Sequence, residues 1–538
     1  MTGAPGSPGN GAGALLRSLL ASGVDTCFAN PGTSEMHFVA ALDGVPQIRA
    51  VLALFEGVAT GAADGYARMA ERPAATLLHL GPGLGNGFAN LHNARRAGTP
   101  VVNVVGDHAT THAKYDAPLQ SDIPAIAGAV SGWVRESTSP ADVAADAAAA
   151  VAAAREGQVA TLVLPADVSW DPIDEPDADA VLLAPAAAPH PPPHPAALRA
   201  AAAAFTSGEP CVLLVGGDAT RAAGLAAAHR LAAATGARVL AETFPTRLER
   251  GAGVAPVDRL AYHVDLAVAQ LAGTRHLVLA GARSPVSFFA YPGKASDLVP
   301  EGCDVHAVAP REGSITTGIA TAALEELADL VAPGTVARTA PLARPPLPTG
   351  PLTVDSAAAV VGALLPEGAI VVDESVTSGL GLPATTAGAP RHDWLTLTGG
   401  SIGYGLPAAT GAAVACPDRP VWCLQADGSA MYTISALWTH AREGLDITTV
   451  VYHNDAYAIL RLELEQTGAA ARLAGDGARA RALLDLGGPQ LDFVALATGM
   501  GVPAERVDTA EGLAAALRRA AAEPGPHLVE AMVPPLLP

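Results

Sequence analysis

Residues 424–460 read LQADGSAMYTISALWTHAREGLDITTVVYHNDAYAIL, and the fold turns on how this stretch is read. The runs Val421 to Ala426 and Ile447 to His453 predict two strands, and Ala430 to Arg442 predicts a helix between them. The result is a strand-turn-helix-strand unit, with Asp427 at the carboxyl end of the first strand and Asn454 at that of the second. In open α/β sheets, ligands sit outside the carboxyl ends of the strands. Two oxygen donors there suit a hard cation such as Mg²⁺ carrying a phosphate. An ordinary βαβ unit with a turn Asp and a loop Asn fits the spacing equally well.

Outside this stretch, composition narrows the possibilities. At 538 residues the chain is too long for a single core, and half of it is apolar, so several globular domains are expected. A formal charge of -20 argues against nucleic acid or an anionic membrane surface as a partner. An anionic cofactor would therefore need a metal or helix N-termini to hold it. The five cysteines are scattered without metal-ligand spacing, which suggests reduced thiols in a cytoplasmic protein. The opening MTGAPGSPGNGAG reads as a Gly/Pro-rich tail, and no apolar run is long enough to span a bilayer.

Strands and helices alternate along the whole chain, which calls for parallel sheets covered by helices on both faces. The stretches 171–198 and 336–352 are Pro-rich linkers, dividing the chain into segments 1–170, 199–335 and 353–538. In the first segment a helix is expected from Leu15, and strands end near Ala29, Leu52, Leu80 and Val105. Glu56 stands among Leu52, Leu54, Phe55 and Val58, where a carboxylate is costly unless paired. A helix N-terminal Glu favoured by the dipole is the alternative. His79 ends a strand before what reads as a Gly-rich loop, LGPGLGNG. His108 and His112 follow the next strand, and His190 and His194 fall in the first linker, too isolated to be metal ligands. In the last segment, Glu374 to Gly379 is a hydroxyl-bearing turn that could present backbone N–H groups to phosphate or simply cap a helix. Thr467 to Gln490, rich in Gly and Ala, reads as a mobile cover.

Several of these stretches together resemble the thiamine-diphosphate enzymes. Asp427-Gly428 followed by Asn454 is similar to that family's Gly-Asp-Gly…Asn signature, with Ala426 in place of the first Gly. GSAMYTISALWT (428–439) and EGVATGAADGYAR (56–68) are similar to the group that contains benzoylformate decarboxylase and the acetolactate synthases. The resemblance implies an α/β fold of three doubly wound parallel-sheet domains: pyrimidine-binding, central Rossmann-like and diphosphate-binding. It implies that Glu56 hydrogen-bonds the cofactor's pyrimidine and that His79 acts on the substrate. It further implies that Thr377, Gly428 and Ser429 line the diphosphate, that the Gly400 carbonyl accepts from the aminopyrimidine, and that Ile402 props the cofactor in a bent shape. Asp427, Asn454 and the Ala456 carbonyl would then bind Mg²⁺.

Thr33, Leu119, Phe288 and Leu460 fall at substrate positions of the same resemblance. Pro118 and Leu119 stand where acetolactate synthases carry Phe-Gln, and Leu119 matches the decarboxylase. Gly281-Ala282-Arg283 lacks the Phe-Asp-Asp-Arg continuation of the flavin-binding synthases, which argues against FAD. The expected activity is decarboxylation or carboligation of a small 2-oxo acid through a C2 carbanion and an enamine. The alternatives are an acetolactate-forming transferase and a 2-hydroxyacyl-thioester lyase. A cofactor-free scaffold has no chemical need for Glu56, Asp427 and Asn454 together. A homodimer at minimum, and a homotetramer beyond it, is the implied assembly.

Overall fold

Short apolar strands alternating with Ala-rich helices can bury both faces of a strand only as parallel sheets between helix layers. Three such sheets form in the computed structural model, which describes residues 9–173, 183–185, 193–310, 318–473 and 477–534. The first contains β1 (Thr26–Asn30), β2 (Arg49–Leu52), β3 (Ala74–Leu78), β4 (Val101–Asp107), β5 (Trp133–Glu136) and β6 (Val159–Pro165), in the order β2-β1-β3-β4-β6-β5. The second contains β7 (Cys211–Val215), β8 (Arg238–Ala241), β10 (Asp258–Arg259), β11 (His276–Ala280) and β12 (Asp304–Ala309), in the order β10-β8-β7-β11-β12. The third combines β9 (Arg247–Arg250) with β13 (Ile370–Glu374), β14 (His392–Thr396), β15 (Val421–Ala426), β16 (Ile447–His453), β17 (Ala504–Val507) and β18 (His527–Met532), in the order β17-β18-β16-β15-β13-β14-β9. Among the described residues, no helix is long and apolar enough to cross a membrane.

The chain packs as two compact units. Of the described residues, one unit comprises those up to 185 with 398–416 and 433–443; the other comprises those from 193 to 397 with 417–432 and 444–534. The first unit's core gathers Leu15, Cys27, Phe38, Leu77, Val102 and Leu162 around the six-stranded sheet. In this unit the Glu56–Ala70 helix, almost wholly buried, packs on the Gly405–Ala415 helix. Small residues make the approach possible: a Cβ on Gly65 would lie 2.2 Å from the Ala408 carbonyl oxygen, and one on Gly411 1.9 Å from that of Ala62. Arg68 is fully buried, paired with Asp64 at 2.6 Å and lying 4.7 Å from the Tyr404 ring centroid. The second unit's core runs through Leu213, Leu324, Val361, Trp394, Trp422 and Val450.

Several elements differ from the sequence reading. The first helix starts at Gly11, inside the expected tail, because the Asn10 side chain accepts the Gly13 N–H at 2.9 Å. Residues 1–8 of that tail lie outside the described residues. LGPGLGNG is not a loop but the first turns of the Leu80–Ala97 helix, where Gly81, Gly83 and Gly87 give space to packed neighbours. The helix expected over 430–442 is broken into Asp427–Ala430 and Ala436–Glu443. The intervening Thr433 and Ile434 are β-branched, and the Thr433 hydroxyl donates to the Gly403 carbonyl at 3.0 Å. Strand β9 was not foreseen: it pairs antiparallel with β14 and is held by Arg247 to Asp393 at 2.5 Å. His194 caps a helix that begins at Pro195 inside the first linker; most of that linker, with His190, lies outside the described residues.

Candidate active site

Each sheet has a point where strand order reverses, and ligands favour such points. In the first sheet it lies between β1 and β3; in the third, between β13 and β15. The sequence-predicted residues follow the ends of these strands: Thr33 after β1, His79 after β3, Thr377 after β13 and Asp427 after β15. Five described non-glycine residues hold a left-handed backbone, and three of them adjoin residues that the sequence predicts for the site. Leu80 (φ 51) follows His79, Val376 (φ 50) precedes Thr377, and Asp455 (φ 56) follows Asn454. Backbone strain of this kind clusters at functional sites.

In the first unit, Glu56 opens its helix with only 9% of its surface exposed. The Asn86 amide donates to its Oε2 at 3.0 Å. A Cβ on Gly83 would sit 3.0 Å from the Glu56 Oε1 and 3.5 Å from the His79 Cβ, so this glycine leaves room for both residues. His79 in turn rests against Gly32, next in the chain to Thr33, and its Nδ1 lies 2.8 Å from the Glu35 Oε2. Burial pushes the Glu35 carboxyl upward, opposed by the Gly32 N–H and by His79. Leu119 lies in the loop whose Ser121 packs on Gly81, two residues from His79. Gly400, with φ 72, and Ile402 belong to the same unit, where the Asn93 amide donates to the Ser401 carbonyl at 2.8 Å and Asn90 to that of Gly403 at 3.2 Å. The His108 and His112 rings lie tilted against each other with centroids 5.3 Å apart, and no hydrogen bond joins them to Glu56 or His79.

In the second unit, Asp427 is 1% exposed. Its Oδ2 accepts the N–H groups of Asn454 at 2.9 Å and Asp455 at 2.8 Å, and its Oδ1 accepts that of Gly428 at 2.7 Å. Burial raises its pKa, and these donors pull it back. A carboxylate offers about four lone-pair directions, so three bonds leave capacity for a cation. Asn454 donates to the Ser378 hydroxyl at 3.4 Å, which brings the Thr377 turn to the Asp427 loop. Ser429 accepts from the Gln425 amide and donates to the Ala426 carbonyl at 3.1 Å. Gly428 has to be glycine, since a Cβ there would meet the Tyr457 ring at 2.4 Å.

Among the described residues, no three His, Cys, Asp or Glu side chains gather as a metal cluster. The loop offers one buried carboxylate and the Asn454 amide oxygen, which accepts the Ala456 N–H at 3.0 Å; hard oxygen donors of this kind fit Mg²⁺ bound together with a diphosphate. His453 reinforces the loop: Glu530 at 2.6 Å and Asp455 at 2.8 Å bond its two ring nitrogens, and Arg506 backs Glu530 at 3.0 Å. The expected cover is partly tied down, with Leu486 N–H donating to the Asp455 carbonyl at 2.8 Å and the Gln490 amide to its carboxylate at 3.0 Å; residues 474–476 lie outside the described residues.

Phe288 joins Phe244, Tyr262 and Phe289 in an aromatic cluster of the second unit, its centroid 5.2 Å from that of Tyr262. Tyr262 and Tyr291 both donate to Glu463, at 3.0 and 3.2 Å. Leu460 sits three residues before Glu463 on the same helix, hence on the same face. The sequence reading missed Glu35, Asn86 and Gly83. Their roles depend on groups far away in the chain, and only a Glu in a Pro-Gly turn signalled any of them.

The family model for "Thiamine pyrophosphate enzyme, N-terminal TPP binding domain" matches residues 9–127, and that for the C-terminal TPP binding domain matches 383–531. The chain is 65% identical over 529 residues to a Mycobacterium tuberculosis protein named "Putative acetolactate synthase large subunit IlvX", covering 98% of this chain and 100% of that one. It is 29% identical to the benzoylformate decarboxylase of Pseudomonas aeruginosa, covering 94% and 96%. Among solved structures, the Rhodococcus jostii thiamine diphosphate-dependent 4-hydroxybenzoylformate decarboxylase superposes with a TM-score of 0.82 at 25% identity, over 98% of this chain and 99% of that one. Matched at both cofactor-binding domains and along nearly its whole length, this chain belongs to the thiamine-diphosphate enzymes of the acetolactate synthase and benzoylformate decarboxylase group.

Proposed function

We propose that the protein is a thiamine-diphosphate- and Mg²⁺-dependent 2-oxo acid decarboxylase or carboligase. The observation that carries this reading is the convergence of Glu56 and His79 on Gly83 beside one switch point, together with the Asp427–Asn454 loop at another. Thiamine diphosphate, when bound, supplies the nucleophilic carbon and the electron sink for loss of CO₂. Asp427, Asn454 and the Ala456 carbonyl hold Mg²⁺, while Thr377, Gly428 and Ser429 line the diphosphate. Gly400 and Ile402 hold and prop the aminopyrimidine. Glu56, kept in place at Oε2 by Asn86, offers Oε1 to the pyrimidine nitrogen. His79 orients the 2-oxo acid carboxylate or moves a proton at Nε2, and the Thr33 hydroxyl meets the same substrate. Leu119, Leu460 and Phe288 form apolar walls around its side chain. FAD is no part of the proposal.

The active assembly is a homodimer or a homotetramer built of two such dimers, one copy contributing Glu56 and another Asp427 to each cofactor. An acetolactate-forming transferase is the second reading, favoured by the name of the M. tuberculosis relative and opposed by Leu119 in place of the expected Gln. The protein should be loaded with thiamine diphosphate and Mg²⁺ and given a panel of 2-oxo acids, with CO₂, aldehydes and ligation products measured. CO₂ with an aldehyde supports the first reading, acetolactate from pyruvate the second, and no CO₂ from any member contradicts both.

A further inference from the structure

Glu35 takes no part in the function proposed above, yet it is built into that site. Its carboxylate is 3% exposed and receives elements that follow two different strands. From its own turn after β1, the Gly32 N–H donates to Oε2 at 2.7 Å; from the end of β3, the His79 Nδ1 approaches the same oxygen at 2.8 Å. The other oxygen, Oε1, is buried with no hydrogen-bond partner and lies over Gly106 of β4, where a Cβ would come within 1.7 Å of it. Gly32 is equally constrained, since a Cβ there would reach 2.3 Å from the His79 Nδ1. Two positions thus lack side chains where this carboxylate and imidazole meet, and a buried acid without full pairing is costly unless it serves a purpose.

The direction of the bond follows from this geometry. Oε2 already accepts from Gly32, and a proton carried on Oε1 would find no acceptor. With Glu35 ionised, Oε2 faces His79 as an acceptor and Nδ1 carries the hydrogen. A neutral imidazole held in this tautomer presents its lone pair at Nε2, and a protonated one presents a second N–H there.

We propose that Glu35 is the positioning residue of His79, fixing the Nδ1–H tautomer and the ring orientation so that Nε2 is the nitrogen that exchanges a proton with the reacting 2-oxo acid. This rests on the proposed function for its substrate, but the tautomer is measurable without substrate or cofactor.

The test is long-range ¹H–¹⁵N correlation of the histidine side chains in the apo-protein, with His79 assigned by loss of its signals in His79→Gln. The wild type should show the Nδ1–H tautomer. Glu35→Leu should shift His79 to the tautomer mixture of free imidazole and lower kcat by roughly 10–100-fold with KM little changed. Glu35→Gln, which keeps an acceptor oxygen, should restore the tautomer and part of kcat. An Nε2–H tautomer in the wild type, or an unchanged tautomer in Glu35→Leu, overturns the proposal. The wild-type measurement decides it even if a variant does not fold. If the wild type releases no CO₂ from any 2-oxo acid, the functional reading fails while the tautomer result still stands for or against Glu35.

Discussion

At the scale of single residues, the proposed site consists of acids that burial would penalise and neighbours that hold them. Asp427 was legible because an Asp after a strand, followed by an Asn after the next, is a local pattern. Glu56 was legible because a carboxylate among apolar residues needs a reason. Asn86 was not, because its partner lies 30 residues earlier and nothing local marks it. Its amide leaves only one oxygen of Glu56 for other work, so Asn86→Ala should lower kcat by roughly 10-fold while calorimetric affinity for thiamine diphosphate stays within about twofold. Unchanged kcat would separate Asn86 from the site. Asp427→Ala should remove the Mg²⁺ dependence of thiamine diphosphate binding, and undiminished affinity in that variant would refute the metal site.

At the scale of elements, strand ends carry the chemistry and glycines set the packing. The strands that bear the site were readable from apolar runs, and Ile447–His453 and Asp304–Ala309 match the sequence reading at both ends. The Leu80 helix was hidden because Gly and Pro normally mark loops, whereas here Gly81, Gly83 and Gly87 are close-contact positions within a helix. Strand β9 was hidden because Arg-Leu-Glu-Arg becomes a strand only beside β14. The crossing of the Glu56–Ala70 and Gly405–Ala415 helices is set by the same device. Gly411→Ala should destabilise the protein by about 1–3 kcal/mol through overpacking, seen as a lower thermal midpoint. An equal or higher midpoint would mean that the crossing tolerates a side chain.

At the scale of the whole molecule, three parallel sheets follow from the alternation of strands and helices, but the partition into units does not. Residues 398–416 follow the third sheet's β14 in sequence yet pack in the unit that holds Glu56, and only tertiary packing reveals this. Each unit also buries a neutral histidine. Burial lowers His440, bonded to Thr410 at 2.8 Å, and His392 to about 4. Between the ordinary imidazole value of 6.5 and that value, the unfolded chain binds more protons than the folded one. Stability is therefore full above about pH 6.5 and falls as pH drops toward 4, by roughly 3 kcal/mol per histidine. Denaturant unfolding across this range should show the slope, and His440→Gln should reduce it; an unchanged slope would contradict the assignment.

Assembly is testable by mixing two inactive variants, Glu56→Gln and Asp427→Ala. If each cofactor uses Glu56 from one copy and Asp427 from another, co-refolded mixtures regain part of the activity; no recovery contradicts the shared site. The most direct test of the central claim is exchange of the thiazolium C2 hydrogen of bound thiamine diphosphate with D₂O, followed by quenched NMR. Exchange should be slower in Glu56→Gln than in the wild type by roughly 10²–10⁴-fold, with the cofactor still bound. Equal exchange rates in the two proteins would contradict the account.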